Sequence, residues 1–190
     1  TVISKLFSPI EIRGETMSNR VFVSPMCQYS SKIDGQANSW HMVHLGSRAT
    51  GGAGLVMAEA TAVRPEGRIS PQDQGIWSDT HVDALRPITE FISSQGSVPA
   101  VQLAHAGRKA SHAAPWTGTG YLGDQGEGWP VVAPSALPYD ENSGIPSALS
   151  KQEIKEITQA FADAAVRSVD AGYRVIELHF AHGYLACEFL

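Results

Sequence analysis

The chain has 190 residues, 43% of them hydrophobic and 17% charged, a composition typical of a soluble globular domain with its own core. The formal net charge of -5, without a basic run or stripe, argues against a nucleic-acid-binding protein, and no apolar segment is long enough to span a membrane. Two cysteines, Cys27 and Cys187, are too few for a disulfide framework, and the first residues lack a signal-peptide core. We therefore expect a cytoplasmic protein.

Apolar periodicity and turn signals predict strands that alternate with helices. Strands are indicated by short apolar or alternating runs, and helices by a capping residue, an apolar stripe and a closing glycine. Pro87 falls inside the second helix and is expected to bend or split it. The predicted elements, in chain order, are a hairpin (7–18), a strand (20–25), a helix (39–48), a strand (54–60), a helix (79–94), a strand (98–104), a helix (151–171) and a strand (174–180).

This order of elements predicts an α/β fold with a parallel sheet and right-handed helical crossovers. No predicted strand is followed by a Gly-x-Gly-x-x-Gly turn, which disfavours a doubly wound dinucleotide-binding fold. A (β/α)8 TIM barrel fits better. We expect residues 1–190 to hold its first four β/α units plus an N-terminal hairpin, as the N-terminal half of a single domain.

Side chains suited to chemistry follow the predicted strands at their C-terminal ends, where the active sites of such folds lie. Cys27 and Tyr29 follow the first strand, and Thr61 follows the second. Gln102 and His105 belong to the third, and Gln102 needs a hydrogen-bond partner because it lies in an apolar run. A pair of histidines on the first helix is assigned packing or surface roles; these are His41 and His44.

The end of the fourth strand carries the densest cluster. Residues 175–180 alternate, so that His179 shares a face with Glu177 while the other face is apolar and suits packing against helices. His179, His182 and Tyr184 then lie within six residues. Two imidazoles can stabilise charge that develops on an oxygen, and a phenol can donate a proton. A strand that simply leaves the core would carry polar residues too, but this spacing favours a functional site.

Before that strand, residues 105–146 form a long segment rich in Gly, Pro, Trp and Ser. A loop of this length inside a compact domain is usually a lid or a binding loop.

Six short motifs follow one another along nearly the whole chain. They are Leu6-Phe7-Ser8-Pro9, Asn19-Arg20-Val21, Ser24-Pro25-Met26-Cys27-Gln28-Tyr29, Glu59-Ala60-Thr61-Ala62-Val63, residues 102–110 (QLAHAGRKA) and residues 179–185 (HFAHGYL). Each is weak alone, but in this order and at these strand ends they resemble the Old Yellow Enzyme family of flavin-dependent ene-reductases. The resemblance is strongest to the bacterial branch that contains the xenobiotic reductases.

The resemblance implies a full barrel that carries FMN at its C-terminal mouth. NADPH or NADH would reduce the flavin, which would pass a hydride to the β-carbon of an activated alkene such as an enone, enal or nitroalkene. We also expect a homo-oligomer. The residues implied as flavin contacts are Pro25, Met26, Cys27, Ala60, Gln102 and His179.

The same resemblance implies roles around the substrate. His179 and His182 would bind the carbonyl or nitro oxygen, and Tyr184 would protonate the α-carbon. Cys27 would tune the flavin potential, and Tyr29 would line the substrate pocket. A buried apolar thiol and a packing tyrosine are the plainer interpretations of these last two residues.

Two alternatives remain open at this point. The first is a zinc-dependent barrel hydrolase that uses His105, His179 and His182 as ligands. The second is an inactive half-barrel. The chain stops at Leu190 within an apolar run, so we expect an N-terminal fragment that lacks the phosphate pocket and some of the flavin contacts.

Overall fold

The computed structural model describes residues 4–118 and 120–190 and shows short strands alternating with longer helices. The strands are β1 (Ile10–Ile12), β2 (Glu15–Met17), β3 (Phe22–Val23), β4 (Leu55–Ala62), β5 (Val98–Ala104), β6 (Val132–Ala133), β7 (Ser147–Ala148) and β8 (Val175–Leu178). The helices are α1 (Ser39–Thr50), α2 (Asp79–Ser94), α3 (Lys151–Asp170) and α4 (Leu185–Glu188).

Four strands form the parallel sheet that the sequence predicts. Their order is β3-β4-β5-β8, so strands that follow one another in the sheet also follow one another along the chain. Helices α1, α2 and α3 supply the three crossovers. The result is a partial (β/α) barrel with its strand C-termini at one edge. The first strand is shorter than predicted, because only Phe22–Val23 of residues 20–25 pair with β4.

The inner face of the sheet is closed at its lower end by the β1–β2 hairpin. Met17 of the hairpin is buried against side chains that point inward from the strands. Alternation along a strand assigns these residues to one face. The members of this cluster are Met17, Leu55, Met57, Val98 and Ala100, with Ile10 and Val175 packed against them.

The outer face of the sheet packs against the helices, and this layer is the larger core. Residues on the strands alternate with those of the inner face, so Ile176 packs here while Val175 packs inside. The strand residues are Val56, Ala58, Val101 and Leu103, and the helix residues include Leu45, Leu85, Ile88, Ile92 and Ala164.

Local capping explains where the helices begin. The Asn38 side chain accepts the Trp40 N–H at 2.9 Å, and Ser150 and Glu153 form a reciprocal capping box at the start of α3. Helix α2 continues through Pro87, so the expectation that proline splits it is wrong. The carbonyl that loses its partner belongs to Asp83, which is exposed, and water can hydrogen-bond it there.

The outer, helix-facing side of β8 is only partly covered by other side chains. Ile176 packs against helices as predicted, but Leu178 is 51% exposed and Phe180 54% exposed. They line an apolar cleft of about 330 Å³ together with Phe161 and Phe189. Among the residues that the structure describes, β8 has a strand partner only on its β5 side.

No described helix is both long enough and apolar enough to cross a membrane.

We expect the 190-residue polypeptide, produced by itself, to self-associate and to retain FMN weakly. The unpaired edge of β8 could form backbone hydrogen bonds with a strand of another copy, and the apolar cleft beside it could bury its surface against that copy. Light scattering gives the mass, and absorbance near 450 nm gives the flavin content. A double variant, Leu178→Lys with Phe180→Lys, should shift the population towards monomer. A stable yellow monomer of the unaltered polypeptide would contradict this expectation.

Candidate active site

Three aromatic side chains meet just beyond the C-terminal end of β8. The ring centroids of His179 and His182 lie 5.0 Å apart, as do those of His179 and Tyr184, and His182 lies 6.1 Å from Tyr184. His179 is still fixed by the sheet, because its N–H donates to the Leu103 carbonyl at 3.0 Å. The structure therefore brings together the three residues that the spacing singled out.

The turn that carries His182 is held by a lysine from the short 3-10 helix (Gly107–Lys109) that follows β5. His182 has a φ of 60°, a conformation that side chains other than glycine rarely adopt without compensation. The Lys109 Nζ donates to the His182 carbonyl at 2.6 Å and lies 4.4 Å from the ring centroid of Tyr139. It also lies 5.9 Å from the ring centroid of Tyr184. Lys109 thus holds the turn between His179 and Tyr184, a role that sequence reasoning missed.

Burial shifts the pKa values of His179 and Tyr184. Desolvation lowers the pKa of His179, and His182 lowers it further. A neutral imidazole has one N–H donor and one acceptor. Burial raises the pKa of Tyr184 well above its usual range, with added contributions from Cys27 and Tyr29. The phenol therefore keeps its proton throughout the neutral range.

A row of side chains crosses the inner face of the sheet below the triad. Gln102 is the register partner of Ala60 on one side and of Glu177 on the other. Its Nε2 donates to the Glu177 Oε1 at 2.6 Å, so the predicted need for a partner is met. Its second N–H and its carbonyl oxygen remain chemically suited to a ligand that donates and accepts.

A β-bulge explains why Ala60 lies in this row. The register between β4 and β5 shifts between Ala58 and Ala60, leaving Glu59 as an extra residue. Because side chains alternate between faces, an extra residue moves those after it to the opposite face. Ala60 thereby joins Gln102 on the inner face, where its small side chain leaves space.

The loop after β3 brings the sulfur and phenol groups to the same edge. Pro25 and Cys27 are partly buried, whereas Met26 is 49% exposed. Burial, aided by Asp73 and Glu59, raises the pKa of Cys27 well above its usual range, so this side chain is a neutral thiol.

Tyr29 connects this loop to the long segment 105–146. Its φ is 48°, and its ring meets the edge of Trp116 with centroids 5.5 Å apart. Burial raises the pKa of Tyr29 to about 12, with a smaller contribution from Cys27. The long segment therefore reaches the site, as expected of a binding loop.

A buried histidine and carboxylate support the loop from below. Glu59 Oε2 accepts the Gln28 N–H at 2.8 Å, and Glu59 Oε1 lies 3.3 Å from His41 Nε2. His41 and its neighbour His44 are both buried, so only the packing part of the earlier expectation holds. Glu59 could have been noticed in the sequence, because a carboxylate within a continuous apolar strand is unusual.

The zinc alternative fails on geometry. His105 is 2% exposed, its Nδ1 accepts the Gly107 N–H at 3.1 Å, and burial lowers its pKa to about 3. Within residues 4–118 and 120–190, one group of three or more possible metal ligands has its ligand atoms within 4.8 Å of one another. That group is Cys27, Glu59 and Asp73, not the three histidines.

Comparison with known proteins decides the family. The sequence profile described as the NADH:flavin oxidoreductase / NADH oxidase family matches residues 5–190. The chain belongs to this family. The resemblance to the Old Yellow Enzymes is thereby confirmed.

Relatives and solved structures support the same assignment. The NADPH dehydrogenase of Bacillus licheniformis is 50% identical over 187 residues, which cover 98% of this chain and 51% of that protein. The old yellow enzyme homologue from Zymomonas mobilis superposes with a TM-score of 0.81 at 30% identity, covering 96% of this chain and 50% of that one. Morphinone reductase in complex with tetrahydroNAD gives a TM-score of 0.80 at 28% identity, covering 96% and 51%.

These comparisons also fix how much of the fold is present. The chain spans about half the length of the curated relatives it matches. The partial barrel of four parallel strands therefore corresponds to about half of a family barrel.

Family membership implies FMN as the cofactor, with NADPH or NADH as its reductant. The residues present fit the flavin ring. Gln102 can donate and accept at a polar ring edge, Ala60 leaves space beside it, and Cys27 is a neutral thiol at the same mouth. His179 is 7% exposed and lies two residues beyond Glu177 on the same strand face.

Proposed function

We propose that this chain supplies the substrate-activating half of an FMN-dependent NAD(P)H oxidoreductase that reduces activated C=C bonds in enones, enals and nitroalkenes. The observation that carries the proposal is the meeting of His179, His182 and Tyr184 within 5.0 to 6.1 Å at the mouth of the barrel. Two potential N–H donors and one phenol are the groups that such a reduction requires.

The two histidines would bind the substrate oxygen. When hydride adds to the β-carbon of an enone, negative charge develops on the carbonyl oxygen. N–H donors aimed at that oxygen stabilise the transition state more than the ground state, which raises the rate of the chemical step. The backbone N–H of His179 is bonded to Leu103 of β5, and the backbone carbonyl of His182 accepts a hydrogen bond from Lys109, so the backbone that carries both imidazoles is held in place.

Tyr184 would then protonate the α-carbon. Its phenol is neutral because burial raises its pKa, and it lies against His179. A proton donor beside the oxygen-binding pair completes the addition of hydrogen across the double bond.

The flavin, when bound, supplies the hydride, and the chain supplies the surface that holds it. We propose that Gln102 hydrogen-bonds the pyrimidine edge, with Ala60 beside it. Residues 25–27 (Pro-Met-Cys) would contact the ring from the loop after β3, and His179 would lie between ring and substrate. Cys27 would tune the flavin potential, and Tyr29 would line the substrate pocket.

We propose NADPH or NADH as the reductant. The relative from Bacillus licheniformis is named an NADPH dehydrogenase, and morphinone reductase has been solved with tetrahydroNAD. The homo-oligomer and the cytoplasmic location expected from the sequence stay predictions.

The test uses the full-length protein. We expect a yellow protein with oxidised-flavin absorbance, anaerobic bleaching by NADPH and recovery of the absorbance when 2-cyclohexenone is added. Saturated cyclohexanone serves as the matched control and should restore nothing. Bleaching by NADPH without recovery on adding any enone, enal or nitroalkene would contradict alkene reduction while leaving the flavoprotein assignment intact.

A further inference from the structure

A cluster behind the proposed flavin site combines one partly buried thiol with two buried carboxylates. We call Cys27, Glu59 and Asp73 the acid–thiol cluster. The sulfur of Cys27 and one carboxylate oxygen from each acid all lie within 4.8 Å of one another. Glu59 is 3% exposed and Asp73 is 1% exposed. Carboxylates are rarely buried to this degree without a charged partner, so the arrangement calls for a role.

Glu59 is aimed at the loop by the β-bulge and fixed by two contacts. Its Oε2 accepts the N–H of Gln28, the residue after Cys27, at 2.8 Å. Its Oε1 lies 3.3 Å from Nε2 of His41, whose Nδ1 accepts the Asn38 N–H at 3.1 Å. A ring whose Nδ1 accepts carries its proton on Nε2 when neutral, so His41 can donate to Glu59.

Asp73 completes the cluster from the loop before α2. Its Oδ2 accepts the N–H groups of Ile69 and Ser70 at 2.7 Å and 3.2 Å. Its Oδ1, in the part of the chain that the structure describes, is buried and has no hydrogen-bond partner. Burial, together with the nearby charge of Glu59, raises the pKa of Asp73 to about 7. Asp73 therefore becomes anionic above neutral pH, in the range in which a thiol would ionise.

We propose that Glu59 and Asp73 are positioning residues that hold Cys27 as a neutral, unreactive thiol at the edge of the cofactor site. A thiolate there would be desolvated and would face two carboxylates, whereas a thiol carries no charge to be repelled. The titratable or charged groups around the cluster are Tyr29, His41, Arg68, Tyr173 and Tyr184. Arg68, the cation among them, does not reverse the effect of burial and the two acids on the pKa of Cys27.

The inference rests on the proposed function only in placing Cys27 beside the flavin. The thiol reactivity itself depends on this chain's own residues, so it is measured without turnover. The nucleophile in alkylation is the thiolate, and the rate at a given pH therefore reports its population.

The experiment measures the alkylation of Cys27 by iodoacetamide in the full-length protein from pH 6 to 10, with peptide mass spectrometry to separate it from other cysteines. We expect wild-type Cys27 to remain nearly unlabelled across this range. The variants Glu59→Gln and Asp73→Asn should each raise the rate at pH 9 by at least about tenfold. Asp83→Asn, on the exposed face of α2, is the matched control and should label like wild type.

A variant that keeps the charge separates the proposed role from a loosened loop, because burial also raises the pKa of Cys27 and its exposure would shift the midpoint of labelling to lower pH as well. Glu59→Asp shortens the side chain but keeps the carboxylate, so it should label far more slowly than Glu59→Gln. Equally fast labelling of these two variants would mean that exposure of Cys27, and not charge, controls its reactivity, and would overturn the proposal. Should Glu59→Gln fail to fold, Asp73→Asn and the wild-type titration still decide. The proposal would be overturned if the labelling midpoint of wild-type Cys27 lay at or below the ordinary thiol pKa of about 8.5. It would also be overturned if Glu59→Gln and Asp73→Asn were both labelled at the same rate as the wild-type protein.

The flavin midpoint potential gives an independent readout. A shift in potential in the variants is expected if Cys27 lies at the flavin as proposed. Faster labelling without any shift would keep the acid–thiol cluster and remove Cys27 from the flavin, so the two proposals fail separately.

Discussion

Replacing Tyr184 with phenylalanine is expected to slow the reoxidation of reduced flavin by an enone by roughly 10²- to 10⁴-fold, the usual contribution of a positioned proton donor. Flavin reduction by NADPH should be nearly unchanged, because that half-reaction needs no proton at the α-carbon. Stopped-flow measurement of the two half-reactions in the full-length protein tests the difference. Equal slowing of both half-reactions would remove Tyr184 from this role.

The control and the pH dependence sharpen this test. Tyr173→Phe also removes a buried hydroxyl, but Tyr173 belongs to the outer core, so both half-reactions should stay at the wild-type rate. Because burial raises the pKa of Tyr184, its phenol stays protonated as the pH rises through the ordinary tyrosine range. Wild-type reoxidation should therefore lose no rate through Tyr184 up to about pH 10.

Replacing His179 and His182 together with alanine is expected to abolish phenol binding and to slow enone reduction by roughly 10²-fold or more, as loss of oxyanion donors does. A phenolate bound over oxidised flavin gives a long-wavelength charge-transfer band in wild type, and the double variant should show none. His112→Ala, in the long loop, is the matched control and should keep the band. A titration that looks the same in the double variant would place the oxygen pocket elsewhere.

Most of the strands and helices of the fold could be predicted from local patterns in the sequence. The hairpin within residues 7–18, the helices that begin at residues 39 and 151, and the packing of Ile176 against helices depend mainly on neighbours in the chain, and the structure confirms them. Leu178 and Phe180, on the same face of β8 as Ile176, are instead about half exposed. The failures come from tertiary context. Pro87 stays within a continuous helix because the lost hydrogen bond lies on an exposed side.

The candidate site also divides into residues that local spacing predicts and long-range contacts that it does not. The three rings of the triad could be predicted because they come from six consecutive residues. The contacts that hold them could not, since they join distant parts of the chain: Lys109 to the His182 carbonyl, and Gln102 to Glu177. Glu59 left a trace in the sequence as a carboxylate within an apolar strand. Asp73 left none, because its environment exists only after the loop has folded.

Because of the extra residue in β4, the number of residues in this strand determines which side chains face the inner side of the sheet. Deleting Glu59, the one residue between Ala58 and Ala60, would restore a regular ladder with β5 and return Ala60 to the helix side, in addition to removing the contacts of Glu59 with Gln28 and His41. Scans that replace one residue at a time keep the spacing and would never detect this dependence. Single-residue insertions and deletions in this strand are therefore the changes to which the cofactor face has the least tolerance.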